Sequence, residues 1–238
     1  MHVTALLTGR GNSTLPNKNV IDILGKPVLY YAAKAAKNSV LVNDWYCSSD
    51  DGKILEAAET LGYKRILRPK ELALPASQHI ECIMHALEML KLQNITPDIL
   101  VVILANNVTV KSKWITECIE QMQYNYDRIT AVVPVYEDND HHPLRAKILN
   151  IDGTLSMYDN NSKGVISSNR QDLSSCYFLS HNFWVLNVNN ILSNKPGQPP
   201  WTFMGDCIYP YIVDESIDIH SEQDLLFAKM WIEANYSE

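Results

Sequence analysis

Directly after the apolar run Val3–Thr8 the chain reads Gly9-Arg-Gly-Asn-Ser-Thr-Leu-Pro-Asn-Lys-Asn19. Glycines behind a first strand let the main chain come close to a phosphate, and Arg10 and Lys18 supply two fixed cations against a polyanion. The chemistry implied is the binding of a triphosphate or a similar anion; a solvated surface loop is the competing reading. The stretch holds neither G-x-x-x-x-G-K-[S/T] nor G-x-G-x-x-G, so it is neither a P-loop nor the dinucleotide fingerprint.

Other candidates for chemistry are spread along the chain. Asp50 and Asp51 precede a helical stretch and suit either an N-cap or a ligand role. His141 and His142 stand beside Glu137, Asp138 and Asp140, which fits a solvated turn closed by Pro143 better than a metal cluster. Asp218 follows a strand signal, and a carboxylate at the carboxyl edge of an α/β sheet is where ligands bind. Asp224 completes Ser221-Glu-Gln-Asp224, a capping pattern at the start of the last helix. His79 and His85 read as structural or surface residues. Trp184, Phe183 and Tyr177 read as core, whereas Trp201, after Gly197-Gln-Pro-Pro200, suits either a ligand or a partner subunit.

Positioning these residues requires a scaffold, and the first part of the chain alternates short apolar runs with segments of helical period. Strands are expected at Val3–Thr8, Trp45–Ser48, Arg65–Leu67, Ile99–Ala105 and Ile129–Val135, and helices at Val28–Asn38, Lys53–Leu61, Ile80–Leu92 and Lys113–Tyr124. Right-handed crossovers then give a single doubly wound α/β domain with a mostly parallel sheet, over residues 1–238. The pattern breaks after Val135. Polar, turn-rich sequence and a hairpin around Asp152-Gly153 suggest an arm or lid inserted at about 136–175, before a strand signal at Tyr177–Val188, a strand at Ile208–Val213 and a helix at Ser221–Asn235.

Composition narrows the partners. The 238 residues carry a net charge of −7, which argues against broad nucleic-acid binding through phosphate neutralisation. The longest apolar run, Ile99–Ala105, is far short of the ~20 residues that span a bilayer, so no membrane association is expected. Met1-His-Val-Thr-Ala-Leu-Leu lacks a basic leader, and the five cysteines form no C-x-x-C pair. A cytoplasmic address, without disulfides or a zinc ribbon, follows as the expectation.

Several segments together resemble the acylneuraminate cytidylyltransferases, enzymes that make CMP-activated sugar acids. The first loop is similar to the family's R-G-x-S-x-x-P-x-K-N, followed by L-G-K-P. Cys47-Ser-Ser-Asp-Asp51, Arg68-Pro-Lys-Glu-Leu-Ala73, His85-Ala-Leu-Glu88, His141-His-Pro143, the Asp152-Gly153 turn, Ser168-Asn-Arg-Gln-Asp-Leu173 and Val213-Asp-Glu-Ser-Ile-Asp218 have family counterparts in the same order. The resemblance spans nearly the whole chain and implies a Rossmann-like, GT-A-like nucleotidyltransferase domain with an inserted dimerisation arm, hence a homodimer.

The resemblance also implies roles. Arg10, Gly11, Ser13, Lys18 and Asn19 would grip the phosphates of CTP, Arg68 would help read cytosine, and Asp218 would carry Mg²⁺ or Mn²⁺. Arg10, Lys18 and Asp218 form the implied catalytic set. Arg170 and His142 would lie near the acidic sugar or on the arm. The implied reaction is in-line attack by the anomeric hydroxyl on the α-phosphate with loss of pyrophosphate, in surface-glycan synthesis.

Three departures from the family pattern sharpen the expectation. The loop is one residue shorter and lacks the lysine after its serine, Thr14 standing near that place. The closing I-D-x-D becomes Ile217-Asp-Ile-His220, so His220 either favours Mn²⁺ or another softer ion as a second ligand, or leaves the metal to Asp218 alone. L-Q-P-T-S-P becomes Leu104-Ala-Asn-Asn-Val-Thr109, offering Asn106 or Asn107 to the acceptor. The acceptor is then either a nonulosonic acid or a different acidic or phosphonylated small molecule. A catalytically weak nucleotide-binding protein is the rival from another class.

Overall fold

The structure, a computed structural model, describes residues 1–11, 15–159, 166–193 and 195–236. The expectation for Ser13 lies outside the described residues.

The strands are β1 (Val3–Thr8), β2 (Asp22–Ile23), β3 (Lys26–Pro27), β4 (Asp44–Ser49), β5 (Lys64–Leu67), β6 (Ile99–Leu104), β7 (Ala131–Glu137), β8 (Lys147–Leu149), β9 (Leu155–Met157), β10 (Tyr177–Leu179), β11 (Phe183–Asn187) and β12 (Ile208–Ile212). The helices are α1 (Val28–Lys37), α2 (Gly52–Glu59), α3 (His79–Leu92), α4 (Ser112–Tyr124), α5 (Val188–Ser193) and α6 (Glu222–Asn235). Parallel pairing joins β5, β4, β1 and β6 in that order, and β12 to β7. The α/β class and the mostly parallel sheet agree with the sequence reading.

The strand signal at Tyr177–Val188 resolves into two strands. β10 runs antiparallel to the far end of β7, whereas β11 inserts antiparallel between β7 and β6. The changeover falls at Asn182, whose carbonyl accepts the Leu104 N–H at 3.0 Å. The expected hairpin is β8 and β9, closed by Asn150 N–H to Thr154 O at 2.9 Å with Gly153 at φ +82°, where a side chain would be strained.

Every residue of β1 and β6 is buried, as strands covered on both faces must be. Their side chains divide by parity. Val3, Ala5, Leu7, Ile99, Val101 and Ile103 pack with α1, α2 and α4, while Leu6, Leu100, Val102 and Leu104 pack with α3 and Trp184. The same alternation turns Thr8 toward α3. A third cluster seats Trp231 and Ile232 of α6 against Tyr31, Val108 and Ile219, which brings the segment before α6 up to the ends of β1 and β6.

Candidate active site

A cavity of about 300 Å³ opens at the carboxyl ends of β1, β5 and β6, the position at which open α/β sheets bind ligands. Its walls include Arg10, Lys18 and Asn19 from the first loop, Arg68 from the end of β5, Asn106 from the end of β6, and Asp218 and His220. Residues from four distant segments are thereby gathered around one space.

The first loop is held by its own side chains. Asn19, only 3% exposed, donates Nδ2–H to the Arg10 carbonyl at 3.1 Å. Gly11 donates its N–H to Asp50 Oδ1 at 3.1 Å, and a Cβ on Gly11 would stand 2.6 Å from Asp51 Oδ2. Asp51 in turn caps α2 by accepting the Lys53 N–H at 2.8 Å. Both acidic residues therefore shape the loop from outside the cavity walls. Arg10 reaches over the cavity to donate to Leu74 O at 2.9 Å.

Lys18 is a buried cation of the site, 8% exposed. Burial pushes its ammonium below the usual lysine range, with Asp218 pulling in the opposite direction. Its Nζ donates to Ile219 O at 2.9 Å and lies 3.3 Å from His220 Nδ1. His220 Nε2 lies 3.0 Å from Asp218 Oδ2, and the other carboxylate oxygen of Asp218 accepts the side-chain amide of Asn106.

Arg68, 6% exposed, is clamped at the end of β4 by Ser48 O (2.7 Å to Nη2) and Ser48 Oγ (3.2 Å to Nε). Of the five guanidinium N–H groups this leaves several for a ligand in the cavity it lines. Beside it stands His79, which sequence reading set aside as structural or surface. Its ring is 5.0 Å from that of Trp184, its Nε2 is 3.2 Å from Thr8 Oγ1, and it lines the cavity. Burial, helped by the positive Arg68, lowers its pKa to about 4, so the ring is neutral. The one hint in the sequence was its place at the head of α3, just after Arg68–Ala73.

Other expected site residues are not brought to the cavity. Asn107 is fully buried and turned into the protein, donating to Ser216 Oγ at 3.1 Å and accepting the Thr109 N–H at 2.9 Å. Arg170 is exposed and pairs with Asp140 at 2.9 Å, while His142 Nδ1 accepts the Leu144 N–H at 3.2 Å. His141 pairs with Asp138 at 2.7 Å. These three stand between β7 and β10. Trp201 packs 5.2 Å from His181 beside the core. Asp224 is the capping partner of Ser221.

Mg²⁺ is usually held by one or two carboxylates together with substrate phosphates. Among the described residues no group of three or more His, Cys, Asp or Glu gathers to hold a metal. Asp218 alone suits the usual arrangement, because each of its oxygens accepts a single hydrogen bond and keeps a lone pair.

The chain is similar over most of its length to known proteins. Over 232 residues it is 26% identical to the pseudaminic acid cytidylyltransferase of Campylobacter jejuni strain 81-176, covering 95% of this chain and 94% of that one. A shorter stretch of 88 residues is 33% identical to the N-acylneuraminate cytidylyltransferase of Escherichia coli, covering 37% and 21% of the two chains. The fold matches that of a CMP:2-keto-3-deoxy-manno-octonic acid synthetase solved with CTP, with a TM-score of 0.70 at 12% identity over 98% of this chain and 99% of that one. The sequence pattern of the cytidylyltransferase family extends over residues 4–184. A match of that extent, carried on this sheet and this strand-end cavity, makes the chain a member of the cytidylyltransferase family.

Proposed function

We propose that this cytidylyltransferase transfers CMP from CTP to the anomeric hydroxyl of a nonulosonic, sialic-acid-like sugar acid, with release of pyrophosphate, for surface-glycan synthesis. The observation that carries the reading is the convergence of Arg10, Lys18, Arg68 and Asp218 on one cavity. Arg10 and Lys18 bind the triphosphate, and the main chain at Gly11 with the Asn19 amide holds their loop in shape. Arg68 faces the base. A divalent ion, Mg²⁺ or Mn²⁺, bound through Asp218 supplies charge neutralisation at the phosphates. Lys18, poorly solvated and positive, stabilises charge that grows on the departing pyrophosphate. Asn106 offers its polar edge to the acceptor. Full-length similarity to a pseudaminic acid cytidylyltransferase supports a nonulosonic acid as that acceptor.

The arm supports a homodimer. Leu149, Ile151, Leu155 and Tyr158 on and beside the hairpin are each at least 66% exposed, an apolar surface that a second copy would cover. Arg170 and His142, on the same arm, would then approach substrate only across that dimer. No helix is long and apolar enough to cross a membrane. All five cysteines are unpaired, which supports a cytoplasmic site of action, where CTP is made.

The test is a thermal-shift panel of CTP, UTP, GTP and ATP with Mg²⁺, with Mn²⁺ and without metal, followed by pyrophosphate release with candidate acids. A ligand at ~100 times its dissociation constant adds ~2.7 kcal/mol, which makes selective CTP binding easy to read. Stabilisation by CTP alone and turnover with a nonulosonic acid is the expected result. Binding without turnover under either metal would favour the nucleotide-binding rival. Asn106, which lines the cavity where the family pattern that this sequence resembles has Q-P-T-S-P, favours a second reading in which another acidic or phosphonylated molecule is the acceptor. Turnover with such a molecule alone would establish it.

A further inference from the structure

His220 occupies a place where the family pattern expects a carboxylate, and its hydrogen bonds determine what it can do there. A lysine ammonium has donors only, so at 3.3 Å it is Lys18 Nζ that donates and His220 Nδ1 that accepts. An imidazole that accepts at Nδ1 carries its proton on Nε2, and that nitrogen faces Asp218 Oδ2 at 3.0 Å. Both ring nitrogens are thus spent, one lone pair on Lys18 and one proton on Asp218. No lone pair remains for a metal ion.

The backbone around the ring is fixed as well. His220 N–H donates to Asp224 Oδ2 at 2.9 Å, within the capping box that starts α6. Lys18 is tied a second time to this segment, through Ile219 O at 2.9 Å. Asp218 receives the Asn106 amide on its other oxygen. The chain of donors therefore runs from the phosphate loop through an imidazole to a carboxylate whose orientation is set from both sides.

We propose that His220 is a positioning residue: a strut, accepting at Nδ1 and donating at Nε2, that holds the Lys18 ammonium and the Asp218 carboxylate at a fixed separation, rather than a metal ligand. The proposal rests on the reading of Lys18 as a phosphate-binding group and Asp218 as the metal-binding group. It explains how a chain with one carboxylate fewer and one loop lysine fewer keeps its remaining cation and anion in register. Metal affinity then comes from Asp218 together with the triphosphate.

Glutamine at 220 can accept through its oxygen and donate through its nitrogen, whereas alanine can do neither. The experiment uses the full chain as wild type, H220Q and H220A. CTP affinity is measured by calorimetry in EDTA, Mn²⁺ affinity of the CTP complex by electron paramagnetic resonance, and the ring tautomer by ¹⁵N imidazole spectra of the metal-free wild type. A strut predicts the Nε2–H tautomer, metal-free CTP binding weakened about tenfold in H220A, the change expected for one charge-assisted hydrogen bond. It further predicts recovery to within about threefold in H220Q, with Mn²⁺ affinity unchanged in H220Q. An Nδ1–H tautomer, or equal loss of Mn²⁺ affinity in both variants, would overturn it. Should the wild type fail to bind CTP, the nucleotide reading falls while the tautomer still decides whether the strut exists; should H220A misfold, H220Q and the spectrum carry the decision.

Discussion

The Arg10 guanidinium spans the cavity and donates to the main-chain carbonyl of Leu74 at 2.9 Å, joining the first loop to the segment that follows Arg68. The contact is exposed and neutral on one side, so a triphosphate, offering charge-assisted bonds, competes well for the same guanidinium. Arg10→Ala and Lys18→Ala are each expected to weaken CTP binding by ~1.5–3 kcal/mol, measured by calorimetry. Normal CTP affinity in both variants would displace the phosphate site from this loop.

Gly11 admits no side chain while Asp51 stays in place. A Cβ there would meet Asp51 Cβ at 2.9 Å as well as its carboxylate oxygen, and the Cβ is not a flexible end. Gly11→Ala should therefore displace the α2 cap and lower stability by about 1 kcal/mol, with a loss of CTP affinity. Asp51→Gly removes the Cβ that the new side chain would meet and, because glycine is tolerated at an N-cap, should cost only a few tenths of a kcal/mol. The double variant should regain the stability lost by Gly11→Ala in urea unfolding; simple additivity would show that the two residues do not meet.

Asn106 and Asn107 are adjacent in sequence and opposite in role. Asn107→Ala strips buried Thr109 and half-buried Ser216 of their partner and should destabilise by ~1–3 kcal/mol. Asn106→Ala lines the cavity and touches Asp218, so turnover should fall while stability moves within ~0.5 kcal/mol. Denaturation curves and pyrophosphate release on the same samples separate the two.

His79 makes stability depend on pH in a defined window. Its pKa falls from 6.5 in the unfolded chain to about 4 in the fold, chiefly through burial. Between those values the unfolded state binds the proton and the folded state does not, so stability is lost as pH falls from 6.5 toward 4 and levels off below. The loss amounts to about 3 kcal/mol. His79→Phe keeps a ring against Trp184 and should flatten most of the difference between unfolding free energies measured at pH 7 and near pH 4. An unchanged difference would assign the acid sensitivity to other groups.

Much was decided by the sequence alone. Alternating apolar runs and helical stripes dictate β1, β4, β5, β6 and β7 and the helices between them; β1 and β6 are the plainest, because burial on both faces demands continuous apolar strands. The glycines, Arg10 and Lys18 behind β1 announce an anion loop, and Ser221 and Asp224 announce the cap of α6, since both signals act within a few residues. Tertiary structure alone decided which distant groups meet. Lys18 reaches Ile219 and His220 across 201 and 202 positions, a contact no local pattern encodes because it depends on sheet order and on α6 docking against α1. Strand parity turned Thr8 toward α3 and so brought His79 into the cavity wall. The bend after β6 turned Asn106 to the cavity and buried Asn107, and the insertion of β11 between β6 and β7 left a buried Asn182 at a point where composition reads only as strand. Periodicity reports which face of an element is apolar; the partner that covers that face is chosen by the packing of the whole chain.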